Sequence, residues 1–245
     1  MWTPIRTADG SWTLRNEELG QACHSLSGAW EQARLRYAGP CRVREVGLER
    51  GCVRLLDIGT GLGLNLAAAL AALDGTGARL EALTCERDAR VLACARELPD
   101  WPAECGPWVA RAHAALAGEA REGVAVRVEL GDARERMALL PDGSFDAVFL
   151  DPFSPQVAPE LWSEAFLAVV ASKLAPGGVL STYSASFPVR LALARAGLAV
   201  GRGPRVGTKA EGTLASRGLP LPELEPRLVR RLARRLGGAS SREPS

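Results

Sequence analysis

The chain has 245 residues, 47% of them apolar, which suits one globular domain with a well-buried core and a small accessory segment at either end. Its formal net charge of +2 is too mild to argue nucleic-acid binding from the total, so any basic footprint must be local. No basic segment followed by an apolar run opens the chain, and its longest apolar stretch, Leu62 to Leu73, is interrupted by Asn65 and far too short for a membrane span, so a cytoplasmic address is expected.

In chain order, residues 1–50 carry no strong strand pattern and are expected to form an N-terminal extension packed over the C-terminal edge of the sheet that follows. From Val53 onward, short apolar and β-branched runs alternate with helical patterns, the rhythm of βαβ units and a mainly parallel sheet. The first core strand is Val53 to Ile58, followed by a helix from Leu62 to Leu73 that Gly75 and Gly77 bring to an end. A second strand, Leu80 to Cys85, closes on Glu86, and Asp88 caps a helix to about Leu98. Pro99 to Gly123 reads as an insertion or extended crossover, with a helical piece from Trp108 to Ala120. Strand three is Ala125 to Leu130, strand four Asp146 to Leu150, and strand five Val179 to Tyr183 after the turn Pro176-Gly177-Gly178. An amphipathic helix from Pro159 to Leu174 joins the last two. Pro188 to Ala196 is helical, and Leu198 to Gly201 with Gly212 to Ser216 makes an antiparallel edge hairpin. The sum is a doubly wound, Rossmann-like α/β fold with a mainly parallel seven-stranded sheet. Three segments follow: an extension at 1–50, a core domain at 51–218, and a basic helix and tail at 219–245.

The six cysteines, Cys23, Cys41, Cys52, Cys85, Cys94 and Cys105, form no CxxC pair and read as idle or buried thiols. With two histidines and no close Cys/His grouping, no metal site is expected, and no segment marks an obligate protein partner.

The strongest signal is Asp57-Ile58-Gly59-Thr60-Gly61-Leu62-Gly63, placed between a strand and a helix. Glycines there permit a tight turn and let main chain approach a ligand, although the same glycines also serve a plain strand-to-helix turn. Glu86, at the end of the second strand, stands where doubly wound folds place an acid that accepts hydrogen bonds from ribose hydroxyls, which points to a nucleoside ligand. Asp132 follows the third strand and suits either an exocyclic adenine amine or the N-cap of a helix. Asp57 chooses between cofactors: an acid before the first glycine faces a dinucleotide pyrophosphate unfavourably but suits the ammonium of a methionine moiety. S-adenosyl-L-methionine is therefore the expected cofactor, held by Asp57, Gly59, Thr60, Gly61, Gly63, Asn65, Glu86 and Asp132. This arrangement of a D-x-G-x-G-x-G loop and two strand-end acids resembles class I methyltransferases.

Strand four ends in Leu150-Asp151-Pro152-Phe153-Ser154-Pro155, a stiffened loop at the crevice. Methyl transfer is an in-line displacement in which positioning and desolvation of the nucleophile carry much of the rate. Asp151 suits the catalytic role of accepting a hydrogen bond from an attacking amine, and Phe153 suits stacking on a planar substrate ring. The loop resembles the D/N-P-P-Y/F loop of methyltransferases acting on amino groups of nucleic acid bases.

From about Gly10 to Arg217 the chain resembles the methyltransferase domain of the MnmC-type family. The resemblance rests on Leu56 to Asn65, on Phe149 to Pro155 continuing to Pro159-Glu160-Leu161-Trp162, on Leu174 to Tyr183, and on His24-Ser25 with Gly28-Ala29 and Glu31. Pro152 stands where the tRNA enzymes carry Gly, and their aromatic-rich N-terminal signature is mostly replaced around Leu14 to Cys23. The resemblance implies N-methylation of an aminomethyl group on a tRNA wobble uridine, by a stand-alone methylase without the flavin oxidoreductase domain of bifunctional members. His24 is a candidate substrate or cofactor contact or a structural histidine. Tyr183 and Lys209, the latter in a Gly-Thr-Lys loop, are further candidate substrate contacts.

The arginines at 227, 230, 231, 234 and 235, with leucines at 224, 228, 232 and 236, describe an amphipathic basic helix. It suits either an RNA backbone or a plain solvated surface. The partner is accordingly tRNA or a small-molecule amine, with no membrane. Two further alternatives are an aminopropyltransferase resembling spermidine synthase and a non-catalytic module that keeps the cofactor pocket.

Overall fold

The computed structural model describes residues 1–119, 121–207 and 211–237. It opens with three short strands, β1 (Trp2–Arg6), β2 (Trp12–Asn16) and β3 (Gln21–Ala22). A one-turn helix α1 (Ala29–Gln32) runs into a π-helical segment at Ala33–Ala38, and α2 (Val43–Arg50) follows. The core then alternates β4 (Cys52–Ile58), α3 (Leu64–Ala72), β5 (Arg79–Glu86), α4 (Ala89–Arg96), α5 (Gly106–Leu116), β6 (Val124–Leu130), α6 (Ala133–Ala138) and β7 (Phe145–Leu150). After a 3-10 turn at Pro159–Trp162 come α7 (Glu164–Lys173), β8 (Leu174–Thr182), α8 (Phe187–Arg195), β9 (Ala199–Arg202), β10 (Thr213–Ser216) and α9 (Pro226–Gly237).

The main sheet has seven strands in the order β6-β5-β4-β7-β8-β10-β9. The first five are parallel, and β10 runs antiparallel to both of its neighbours. Strand order reverses direction between β4 and β7, which opens a crevice at their carboxyl ends. The continuous apolar runs of these strands serve two cores at once. In β4, Val53 and Leu55 face one core while Leu56 and Ile58 face the other. In β7, Ala147 and Phe149 alternate in the same way with Val148 and Leu150. Period-two burial on both faces is what a sheet covered by helices on each side demands. The doubly wound class and the edge hairpin are therefore as expected.

Three details differ from the sequence reading. Residues 2–22 are a three-stranded antiparallel sheet, not a strand-free extension. Its strands are too short to announce themselves, and Pro4 interrupts the pattern of the first. They are held by packing: Leu14 is fully buried, Trp2 and Trp12 pack against the first core, and the Arg6 guanidinium sits 4.0 Å over the Trp12 ring. The expected helix from Pro159 to Leu174 is broken at Ser163, whose hydroxyl accepts from the Phe166 N–H and caps α7. Leu174 has already left the helix to pair with Phe145, so the Pro-Gly-Gly turn is an irregularity inside β8 rather than a prelude to it.

Among the described residues no helix is long and apolar enough to cross a membrane, and no group of three or more His, Cys, Asp or Glu is placed to hold a metal ion.

Candidate active site

A cavity of about 530 Å³ opens at the carboxyl ends of β4, β5, β6 and β7, walled by Ile58, Gly59, Gly61, Glu86, Gly131, Asp132, Ala133 and Asp151. The glycine loop and the loop after β7 are stitched together. The Gly59 N–H donates to the Cys85 carbonyl and the Asp151 N–H to that of Ile58. Gly59 has φ +91, and a methyl group there would lie 2.6 Å from the Asp151 carbonyl oxygen. Only glycine lets these two main chains approach so closely.

Four acids are placed differently. Asp57, near the end of β4, is fully buried, and its carboxylate makes no hydrogen bond of good geometry, with the Asn65 side chain as its polar neighbour. Burial, reinforced by the charge of Asp151, pushes its carboxyl up to about 8. Glu86 accepts the Gly61 N–H at 2.9 Å on one oxygen and the Asp88 N–H at 2.9 Å on the other. Burial raises its pKa, and these backbone bonds pull it back. Asp132 caps α6 through the Arg134 N–H and grips the Arg134 guanidinium with both oxygens, which lowers its carboxyl to about 2. The helix-cap reading of Asp132 is thus realised, while Asp132 and Gly131 also border the cavity.

Asp151, at the start of the loop after β7, is 8% exposed and lines the cavity. Its carboxylate accepts from the Asn65 amide at 3.1 Å. Fully buried Tyr37, from the π-helical segment, lies close enough for the Asp151 charge to hold its phenol un-ionised, second to burial itself. The loop is pinned at two carbonyls: the Tyr183 hydroxyl donates to that of Pro152 at 2.9 Å, and the Trp162 indole N–H to that of Phe153 at 2.7 Å.

The candidate residues separate by depth. Gly59, Gly61, Glu86, Asp132, Asp151, Phe153 and His24 border the open cavity. Asp57, Thr60 and Asn65 lie behind it, fully buried. Gly63 has φ +77 and stands at the N-cap of α3, and a methyl group there would meet Leu116 at 2.8 Å, so it serves the packing of α5. Tyr183 is turned to the Pro152 carbonyl and supports the loop from beneath. His24 is buried and shares a hydrogen bond with the Thr13 hydroxyl through Nδ1. Lys209 lies outside the described residues.

Sequence reasoning missed the contribution of the N-terminal sheet. Trp2 stacks on Phe153 with centroids 6.1 Å apart and donates its indole N–H to Asp88. The Gln21 amide oxygen accepts the Ser154 N–H, and Cys23 also lines the cavity. A Trp within two residues of the start of the chain was the available signal, but its partner lies 151 positions away by number. Burial, then the nearby Glu86 and Asp151, push the Cys23 thiol up, so it is held as a neutral thiol.

The residues present fit S-adenosyl-L-methionine. A nucleoside with a charged amino-acid tail needs close main-chain approach, an acid for its ribose and a counter-charge for its ammonium. Gly59 and Gly61, Glu86, and the buried carboxylate of Asp57 would meet these needs in turn.

Residues 103–218 match the model of a family described as S-adenosyl-L-methionine-dependent methyltransferase. MnmC2 from Aquifex aeolicus is similar in structure, with a TM-score of 0.82 at 34% identity, covering 95% of this chain and 76% of that one. The tRNA 5-methylaminomethyl-2-thiouridine biosynthesis bifunctional protein MnmC of Aromatoleum aromaticum is 34% identical over 216 residues, 81% of this chain and 32% of that protein. An uncharacterised protein of Methanocaldococcus jannaschii is 27% identical over 224 residues, 86% of this chain and 58% of that protein. The chain thus spans 32% of the length of the first of these two relatives and 58% of the second.

Proposed function

The chain belongs to the MnmC-type family of S-adenosyl-L-methionine-dependent methyltransferases, and from that premise we propose that it methylates the amine of an aminomethyl group on a wobble uridine of tRNA. S-adenosyl-L-methionine is the cofactor, and when bound it supplies an electrophilic methyl group on a sulfonium centre. The main chain at Gly59 and Gly61 and the carboxylates of Glu86 and Asp57 would hold it, with Gly131 and Asp132 beside the base and Thr60, Gly63 and Asn65 supporting the loop from behind. Clustered acids suit a cofactor that carries both an ammonium and a sulfonium charge.

The observation that carries this reading is Asp151, buried at the rim of the cavity with its carboxylate steadied by Asn65. An amine nucleophile must present a lone pair. A carboxylate that accepts one N–H bond turns that lone pair toward the methyl group. An amine that gains the methyl group, as the sulfonium C–S bond breaks and leaves its electron pair on sulfur, carries one proton too many, which Asp151 would accept and pass to solvent. Tyr183 and Trp162 fix the loop that positions Asp151, and the Trp2–Phe153 pair borders the opening as a platform for the uracil ring. His24 lines the cavity beside Gly61.

In this reading residues 51–218 form the transferase, residues 1–50 cover its opening, and residues 219–245 add a basic helix. Its place is with the tRNA pool of the cytoplasm. The test is transfer of labelled methyl from S-adenosyl-L-methionine to tRNA from cells lacking the last methylation of the wobble base. Wild type is expected to label it, and Asp151→Ala to lose about 100-fold or more in rate while retaining the cofactor. Tight cofactor binding without label in tRNA would sink the tRNA acceptor and turn the search to small amines.

A further inference from the structure

The helix α9 contains five arginines, Arg227, Arg230, Arg231, Arg234 and Arg235, and no acid. In a chain whose 30 basic residues include just two lysines, a run of arginines is weak evidence by itself. Pairing is what sets α9 apart. Elsewhere many arginines meet acids, Arg50 and Arg54 on Asp146, Arg90 on Asp88, Arg134 on Asp132, Arg190 on Glu211, Arg195 on Glu164, and others such as Arg6 and Arg44 bond to main-chain carbonyls. Helix α9 differs in gathering five on one helix with neither kind of partner among the described residues. Among the described residues none of the five on α9 has an ion pair, and all five are exposed.

Placement is the second observation. Helix α9 packs on α8, burying Leu232. The Arg231 guanidinium lies 3.8 Å from the centroid of the Phe187 ring. Phe187 is the first residue of α8 and follows Tyr183 by four positions, at the carboxyl end of the sheet. An uncompensated cationic face is therefore anchored at the same end of the sheet as the cavity. Leu232 is turned to the protein, and the exposed surface carries five guanidinium groups against two large apolar side chains, Val229 and Leu236, a balance that suits phosphates better than a lipid surface needing a continuous apolar side to insert.

We propose that α9 docks the phosphate backbone of RNA and holds it so that a nucleotide reaches the cavity. The proposal rests on the tRNA reading of the active site, and it adds which surface carries the affinity. Arg227, Arg230 and Arg234 are the contacts. Arg231 is committed to Phe187 and anchors the helix.

The experiment uses the full chain and the triple variant Arg227→Gln/Arg230→Gln/Arg234→Gln, with tRNA binding measured by fluorescence anisotropy between 50 and 200 mM salt. Each lost phosphate contact removes about 0.7–0.9 from the slope of log K against log[salt], so the variant's fall in affinity should be roughly 20- to 40-fold shallower over that range. Cofactor affinity by calorimetry should match wild type and shows that the variant is folded. An unchanged salt slope overturns the proposal even if wild type methylates tRNA. A reduced slope upholds it even if methyl transfer to tRNA fails, because binding is read without turnover. Binding to anionic vesicles that the variant loses, with tRNA binding unchanged, also overturns it in favour of a membrane surface.

Discussion

Gly59→Ala tests the central geometric claim, that the glycine loop and the Asp151 loop are in contact through main chain. The added methyl would lie 2.6 Å from the Asp151 carbonyl oxygen, 2.8 Å from its carbonyl carbon and 3.0 Å from the Pro152 nitrogen. These are backbone atoms tied by the Asp151 N–H bond to the Ile58 carbonyl, so no flexible side chain can give way. Left-handed backbone costs an alanine about 1–2 kcal/mol, and overpacking adds about 1–3 kcal/mol. At about 2–4 °C per kcal/mol for a chain of this size, Tm should fall by at least about 4 °C. Relief of the contact moves Asp151 by close to an ångström, and a displacement of that size costs about 100-fold in rate. Gly75→Ala is the control: it has φ +69 with nothing within 4 Å, so it carries the backbone strain alone. Differential scanning fluorimetry and single-turnover methyl transfer at saturating cofactor measure both. A Gly59→Ala protein with wild-type turnover and no larger Tm loss than Gly75→Ala would refute the reasoning.

Asp57 gives a pH signature. Its folded pKa of about 8 lies above the ordinary 3.8, so the unfolded chain binds fewer protons between those values and this group's contribution to stability falls as pH rises through that window. Asp57→Asn should therefore flatten the dependence and raise Tm of the cofactor-free protein at pH 8, while weakening cofactor binding. If the cofactor ammonium selects the ionised carboxylate, calorimetry at pH 7 in buffers of different ionisation enthalpy should report release of about 0.9 proton, and no buffer dependence would contradict it. Trp2→Ala removes the stack on Phe153, worth about 0.5–1.5 kcal/mol. It should raise the acceptor KM several-fold with little change in kcat, and an unchanged KM would remove the aromatic pair from acceptor binding. Tyr183→Phe deletes the bond to the Pro152 carbonyl at about 0.5–1.5 kcal/mol. It should lower kcat a few-fold without altering cofactor affinity, and loss of cofactor affinity instead would move Tyr183 into the cofactor site.

The placement of Asp57, Gly59, Gly61, Glu86 and Asp151 was legible because they end or directly follow strands. In a parallel α/β sheet whatever residue ends a strand arrives at the carboxyl edge, whichever neighbours the strand acquires. The two-sided apolar pattern of Val53 to Ile58 and Phe145 to Leu150 likewise states the layer architecture by local periodicity alone. Asp132 was legible as an ambiguity, and its arginine two positions on resolved it. Other properties depend on residues far apart in the chain, and no local pattern encodes them. The strands at residues 2–22 gain stability from tertiary packing rather than propensity, so Trp2 came to Phe153 and Gln21 to Ser154 only on folding. Tyr37 reached Asp151 through a π-helical segment that no periodicity announced. Even the ionisation of Asp57 belongs to the tertiary structure: its identity and position were written in the sequence, but the burial that raises its pKa and the Asp151 charge beside it exist only once the two loops have closed on each other.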